Sequence, residues 1–268
     1  MFERKERRVA TAIITGGSAG LGLLFAEALA ERGLDLILIA RDKARLKQVC
    51  RDLAERHHVA VEPIAIDLAD PDNAEIIAKV ISKTKDLLYL INNAGFATHF
   101  RAGDGGERIR RLQRNAVNVM ALNTLLFSSA AVRPMVKAGQ GHIVNIASTA
   151  AWTYTGNYSA IKSYVLTYTQ SLALELEGTG ATATAVCPAW MHTNFHSVAG
   201  LAEPAIPEWL YVRPEQAVSE TLRAVRRGKS LVVPTRRWRL IIWCLTHGPR
   251  AWRRQFTKAY LRTKNYRR

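Results

Sequence analysis

Val9-Ala10-Thr11-Ala12-Ile13-Ile14-Thr15-Gly16-Gly17-Ser18-Ala19-Gly20-Leu21-Gly22 is a short apolar run that breaks into a cluster of glycines, and residues 21–32 then place apolar side chains three and four apart. The run reads as a strand buried on both faces and the segment after it as an amphipathic helix. Glycines at 16, 20 and 22 let the backbone turn tightly and come close to a pyrophosphate resting on the positive amino end of that helix. The spacing is Gly-x-x-x-Gly-x-Gly rather than Gly-x-Gly-x-x-Gly, and taken alone it also fits a plain strand-to-helix turn.

Outward from this unit the same alternation repeats. Strand-length apolar runs stand at Val9–Ile14, Leu36–Ala40, Val61–Ile66, Leu87–Ile91, His142–Ala147, Ala181–Cys187 and Leu231–Val233. Helical periodicity covers Leu21–Arg32, Lys43–His57, Asn73–Lys83, Ile109–Val136, Tyr158–Glu177 and Pro214–Arg227, with Asp42 and Asp72 as expected caps and Pro214 in a first turn. Short joins between strand and helix predict an α/β fold, a doubly wound parallel sheet of the Rossmann-like kind. At 268 residues, 48% of them hydrophobic, the chain suits one core rather than two enzyme domains.

Polar groups gather where these strands end, which is where open α/β sheets bind ligands. The second strand ends in Ala40-Arg41, where a guanidinium suits a 2′-phosphate better than ribose hydroxyls; NADP(H) is therefore favoured over NAD(H). The third ends in Asp67-Leu68, with Asp67 placed to accept from an adenine amino group. The fourth ends in Asn92-Asn93-Ala94-Gly95, leaving room for a cofactor against the backbone.

Tyr158-Ser159-Ala160-Ile161-Lys162 opens a helix ten residues after Ser148, which itself closes a strand. Tyr158 and Lys162 stand one helical turn apart on one face. A phenol with a pKa of about 10 is a poor acid or base at pH 7, and a neighbouring ammonium is expected to lower that value. Ser148 is placed to hold a carbonyl oxygen.

Together these segments resemble the short-chain dehydrogenase/reductases over residues 9–234. Thr15–Gly22 is similar to the family's Thr-Gly-x-x-x-Gly-x-Gly, Asn92–Gly95 to its Asn-Asn-Ala-Gly, and Tyr158–Lys162 to its Tyr-x-x-x-Lys. The resemblance implies that Tyr158 is the general acid/base, that Lys162 lowers its pKa and holds the nicotinamide ribose, and that Ser148 polarises the carbonyl. It also implies that Asn118 supports a proton relay and that Thr193, in Pro188–Thr193, bonds the nicotinamide carboxamide. The cofactor set it implies is Gly16, Ser18, Gly20, Leu21, Gly22, Arg41, Asp67, Leu68, Asn93, Ala94 and Gly95 with Tyr158, Lys162 and Thr193. No metal ligands are read. Two departures stand out: the Ser148-to-Tyr158 interval is shorter than the family's usual one, and Ala189 replaces a usual glycine, with Trp190 beside it expected to narrow the nicotinamide end. Homodimers or homotetramers through Ile109–Val136 and Tyr158–Glu177 are a further implication.

Residues 1–234 are expected to form the catalytic domain, with a substrate lid at Asn194–Val212. That lid carries Phe195, Val198, Leu201, Ile206, Trp209, Leu210 and Tyr211 and suits a lipophilic substrate, such as a 3-oxoacyl chain or a steroid. Alternatives are a small polar carbonyl, or an inactive cofactor-binding regulator that docks through its tail. Net charge is +16, and +14 of it falls in residues 213–268, where 16 Lys and Arg face only Glu215 and Glu220. Residues 235–268 therefore read as a basic extension in which Trp252, Phe256 and Tyr260 share a helix face; an anionic membrane surface is the expected partner of residues 236–268, with an oligomer contact or a packed helix bearing a solvated basic face as the alternatives. Nucleic acid is not expected, since no reading motif accompanies the charge. Three scattered cysteines, no signal peptide, and no run of 18 apolar residues to span a membrane lead to a cytoplasmic expectation, with peripheral attachment to the inner face of a membrane.

Overall fold

A computed structural model describes residues 9–98, 103, 105–191 and 207–263. Strand β1 (Thr11–Thr15) leads into α1 (Gly20–Ala30), and β2 (Asp35–Ala40) into α2 (Lys43–His57). Then follow β3 (Val61–Ala65), α3 (Pro71–Lys83), β4 (Leu87–Asn92), α4 (Glu107–Val117) and α5 (Asn123–Ala138). Beyond them lie β5 (Gly141–Ile146), α6 (Asn157–Glu175), β6 (Ala181–Val186), α7 (Pro214–Val225), β7 (Leu231–Val232), α8 (Arg236–His247) and α9 (Arg250–Thr263).

All seven strands pair in parallel in the order β3-β2-β1-β4-β5-β6-β7. Both faces of the sheet are covered. Ile14 of β1 joins Phe25, Leu29, Leu222 and Trp238 in one core, while its neighbour Ile13 joins Ile77, Phe127 and Leu172 in the other. This is why the strand sequences are continuously apolar instead of alternating. Chain order reverses between β1 and β4, so their carboxyl ends open a crevice at the switch point.

Two local expectations are corrected. Asp70, not Asp72, caps α3, its carboxylate accepting from the Asp72 amide at 2.9 Å, because Pro71 occupies the first helical position. Ile109–Val136 is not one regular helix: a π turn at Asn118–Leu122 separates α4 from α5. The whole stretch Glu107–Ala138 is long and apolar enough to cross a membrane by length and composition, yet α5 packs on α3, β4 and β5 and buries Phe127, Ala131 and Met135 as a core helix does. The α8 helix also belongs to the core, through Trp238, Ile242 and Leu245.

Candidate active site

The site grows from the joint between β1 and α1. Gly16 adopts φ +68, and a Cβ on Gly22 would stand 2.2 Å from the Gly16 carbonyl oxygen and 2.5 Å from Asn93 Nδ2, so neither position admits a side chain. Thr15 Oγ1 accepts from the Asn93 and Ala94 amides at 2.9 and 3.0 Å, and Asn93 Nδ2 donates back to the Thr15 carbonyl at 3.0 Å. The ends of β1 and β4 are thereby locked together. No side chain caps α1, whose first-turn amides stay available to an anion.

A cavity of about 750 Å³ opens from this cradle. Gly16, Ser18, Gly20, Leu21, Arg41, Asp67 and Leu68 line one end, and Asn93, Ala94, Gly95, Ser148, Tyr158 and Lys162 line its middle. Gly22 is instead packed beneath the cradle. Thr193 and residues 194–206 of the expected lid lie outside the described residues; at the lid's end, the Val212 amide donates to the Trp190 carbonyl at 2.8 Å.

Ser148 Oγ accepts from the Ala150 amide at 3.1 Å, donates to the Pro188 carbonyl at 3.4 Å and hydrogen-bonds Tyr158. A single 3₁₀ turn, Thr149–Trp152, fills the short Ser-to-Tyr interval. Lys162 Nζ donates to the Ile146 carbonyl at 2.7 Å and sits 5.7 Å from the centre of the Tyr158 ring. Burial lowers the Lys162 pKa to about 8, with the Cys187 thiol acting weakly against it. The Tyr158 pKa is raised, not lowered as expected: burial outweighs the Ser148 hydrogen bond, and the Lys162 ammonium is engaged with a carbonyl instead of the phenol oxygen.

Asn118 does not line the cavity. Its Nδ2 donates to the Ala69 carbonyl at 3.3 Å, while Asn123 Nδ2 donates to the Leu68 carbonyl at 2.7 Å. The two asparagines are five residues apart, a spacing that the π turn brings onto one side, so the π turn and the start of α5 together hold the loop that carries Asp67 and Leu68.

Several lining residues were not legible in the sequence. Arg45 joins Arg41 at the cofactor end and donates to the Ser18 carbonyl at 3.0 Å; its position one turn beyond Arg41 was the available signal. At the far end Trp238, Ile242 and Leu245 of α8 and Phe256 of α9 form an apolar wall, with Trp190 packed 5.1 Å from Trp238. Trp238 is only 1% exposed and donates to the Leu210 carbonyl at 2.9 Å. The Tyr154 amide of the short loop donates to Thr257 Oγ1 of α9 at 3.2 Å, so the C-terminal helices close over the place where the loop is short.

A family model for the short chain dehydrogenases matches residues 10–203. The chain belongs to that family, and it is an oxidoreductase acting on CH–OH and ketone groups. It is 28% identical over 222 residues to the very-long-chain 3-oxoacyl-CoA reductase of Bos taurus, covering 80% of this chain and 68% of that one. In structure it resembles a short-chain dehydrogenase from Sphingobium yanoikuyae in complex with NADPH, with TM-score 0.79, 27% identity and 97% of each chain covered. It also resembles the bulky-bulky ketone specific alcohol dehydrogenase of Comamonas testosteroni, with TM-score 0.75, 25% identity, and 97% of this chain and 96% of that one covered.

Proposed function

We propose that this protein is an NADP(H)-dependent reductase of lipophilic ketones, or equally the dehydrogenase of the corresponding secondary alcohols. The observation that carries the reading is the single cavity that joins a glycine cradle and two guanidiniums to Ser148, Tyr158 and Lys162 and then to an apolar wall. The glycine cradle fits a dinucleotide, since the positions that must approach a pyrophosphate are those where a Cβ would collide. Arg41 and Arg45 suit the 2′-phosphate, in keeping with the NADPH bound to the Sphingobium neighbour. When bound, NADP(H) supplies or accepts the hydride at the substrate carbon.

In reduction Tyr158 gives its phenolic proton to the carbonyl oxygen as that carbon gains the hydride, and the product is the secondary alcohol. In oxidation the proton returns to Tyr158. Ser148 Oγ, fixed by Ala150 and Pro188, orients the carbonyl oxygen toward the phenol. Lys162 holds the nicotinamide ribose and offers positive charge to a forming phenolate, and Asn118 braces the relay through the π turn. The family resemblance assigns Thr193 to the nicotinamide carboxamide. The wall of Trp238, Ile242, Leu245 and Phe256 supports an apolar substrate, as do relatives that act on 3-oxoacyl-CoA and bulky ketones.

Residues 1–234 then act as the catalytic domain and residues 235–268 as an extension whose α8 and α9 helices complete its cavity. Exposed Leu125, Tyr164 and Leu174 on α5 and α6 support a homodimer or homotetramer. Buried, unpaired Cys50 and Cys187 suit a reducing cytoplasm, with residues 236–268 contacting an anionic membrane surface.

NADPH oxidation with ketones and 3-oxoacyl thioesters of rising chain length tests the reading. Efficiency, kcat/KM, should rise about threefold to fourfold per added methylene until the wall is reached. Tyr158→Phe should lower kcat by roughly 10²–10⁴-fold while leaving NADPH affinity within about twofold. A flat chain-length response would remove the lipophilic substrate, and normal turnover in the variant would remove Tyr158 as the acid/base.

A further inference from the structure

The α8 helix has two opposed faces with different chemistry. Trp238, Ile242 and Leu245 turn into the cavity. Arg236, Leu240, Trp243 and His247 form the opposite stripe, with Leu240 63% and Trp243 58% exposed. The Trp243 ring is stacked on His247 at 5.1 Å, which holds a large apolar group outward. Around this stripe lie exposed Arg237, Arg239, Arg250, Arg254 and Lys258, and no acidic residue occurs after Glu220.

We propose that the outer face of α8, with the exposed cations of α9, docks on an anionic lipid surface, and that the cavity draws its substrate from that surface. The proposal rests on the reading of the protein as a lipophilic ketone reductase and adds the route by which such a substrate arrives. Among the described residues Arg239 is paired with Glu220, while Arg237, Arg250, Arg254 and Lys258 have no acidic partner; such cations complement lipid headgroup phosphates, and Leu240 and Trp243 among them reach the acyl boundary. A second copy of this surface would meet it with like charge. A nucleic acid would match the cations and leave Leu240 without a role. Of the expected stripe of Trp252, Phe256 and Tyr260, Phe256 faces the cavity, so the docking face is drawn on α8. One helix, about 10 Å across, separates the lipid from the cavity wall, which keeps the proposed route short.

Co-sedimentation of the full chain with vesicles tests the docking directly, using phosphatidylcholine alone or mixed with phosphatidylglycerol. Wild type should bind the mixed vesicles and release at high salt. Leu240→Ser/Trp243→Ser and, separately, Arg236→Gln/Arg254→Gln/Lys258→Gln should each bind roughly tenfold or more weakly. These residues lie outside the cavity, so NADPH affinity, melting temperature and turnover of a short water-soluble ketone should be unchanged. Docking is overturned if wild type binds both vesicle types equally or neither, if both variants bind as wild type does, or if random-sequence duplex DNA displaces the protein from vesicles at equal charge concentration.

A second measurement tests the route. With a long-chain ketone embedded in the mixed vesicles, both variants should raise KM roughly tenfold while leaving the KM for the soluble ketone unchanged. Equal changes for both substrates, or none, would overturn the route even with docking intact. If wild type turns over no ketone in either form, the enzymatic reading fails and the route fails with it, while co-sedimentation still decides the docking.

Discussion

Lys162 is a buried ammonium, which works against folding. Burial lowers its pKa to about 8, whereas the unfolded chain holds it near 10.4. The folded state therefore binds its proton less readily, so this group lets stability rise as pH increases from about 8 to 10.4, and below that window the full cost of about 3 kcal/mol remains. Lys162→Met should then raise stability at pH 7 by about 1–2 kcal/mol, part of the gain being lost with the hydrogen bond to the Ile146 carbonyl. The gain should fade by pH 10, and turnover should fall with it. Chemical denaturation at pH 7 and pH 10 checks this, and equal stability of the two proteins at pH 7 would remove the cost assigned to burial. The Tyr158 and Lys162 pair was legible because two groups one helical turn apart share a face wherever the helix lies. The direction of the phenol's pKa was not, because it depends on how deeply Tyr158 is buried and on the Ile146 carbonyl that takes the ammonium.

The joint between β2 and α2 carries the choice of cofactor. Asp42 caps α2 by accepting from the Arg45 amide at 3.0 Å, and that turn sets Arg41 and Arg45 together at the cavity's cofactor end. Arg41→Ala should raise the dissociation constant for NADPH about tenfold or more and that for NADH less than about twofold, the usual scale for a charged bidentate contact. Fluorescence titration with both nucleotides measures it, and parallel losses would place the 2′-phosphate elsewhere. Elements at this scale were legible to within a residue or two where periodicity is strong, as in α2, whose bounds match. The π turn was not legible, since one extra residue per turn leaves the apolar pattern of residues 109–136 nearly unchanged. In Asp70-Pro71-Asp72 the proline in the first turn was the signal for choosing Asp70 as the cap.

Across the whole molecule, the sheet and its switch point could be read from the strand-ending motifs, because each places chemistry at the carboxyl edge of a parallel sheet. The role of residues 235–268 could not. A tail rich in Arg and Trp suggests an appendage, and the inward stripe of Trp238, Ile242 and Leu245 is interleaved with Arg237, Arg239 and Trp243. Its burial also means that deleting residues 236–268 would open the core, so point substitutions are the cleaner probe of that surface.

Glu220 is the last acid in the chain, and it accepts from the Thr235 amide at 3.2 Å and from the Arg239 guanidinium at 2.6 Å, fastening the start of α8 to α7. From residue 223 onward the sequence has 15 basic groups and no acid, and of those in the described helices only Arg239 meets a carboxylate, so α8 and α9 carry closely spaced like charges with Glu220 as their one clasp. Added salt should relieve more repulsion than it weakens attraction at that half-exposed pair, and raising NaCl from about 0.05 to 0.5 M should lift the melting temperature by about 2–4 °C. A fall would show that the clasp outweighs the repulsion. The same ions that tighten the fold would loosen its hold on an anionic lipid surface, so ionic strength would set how far the protein divides between a membrane and free solution.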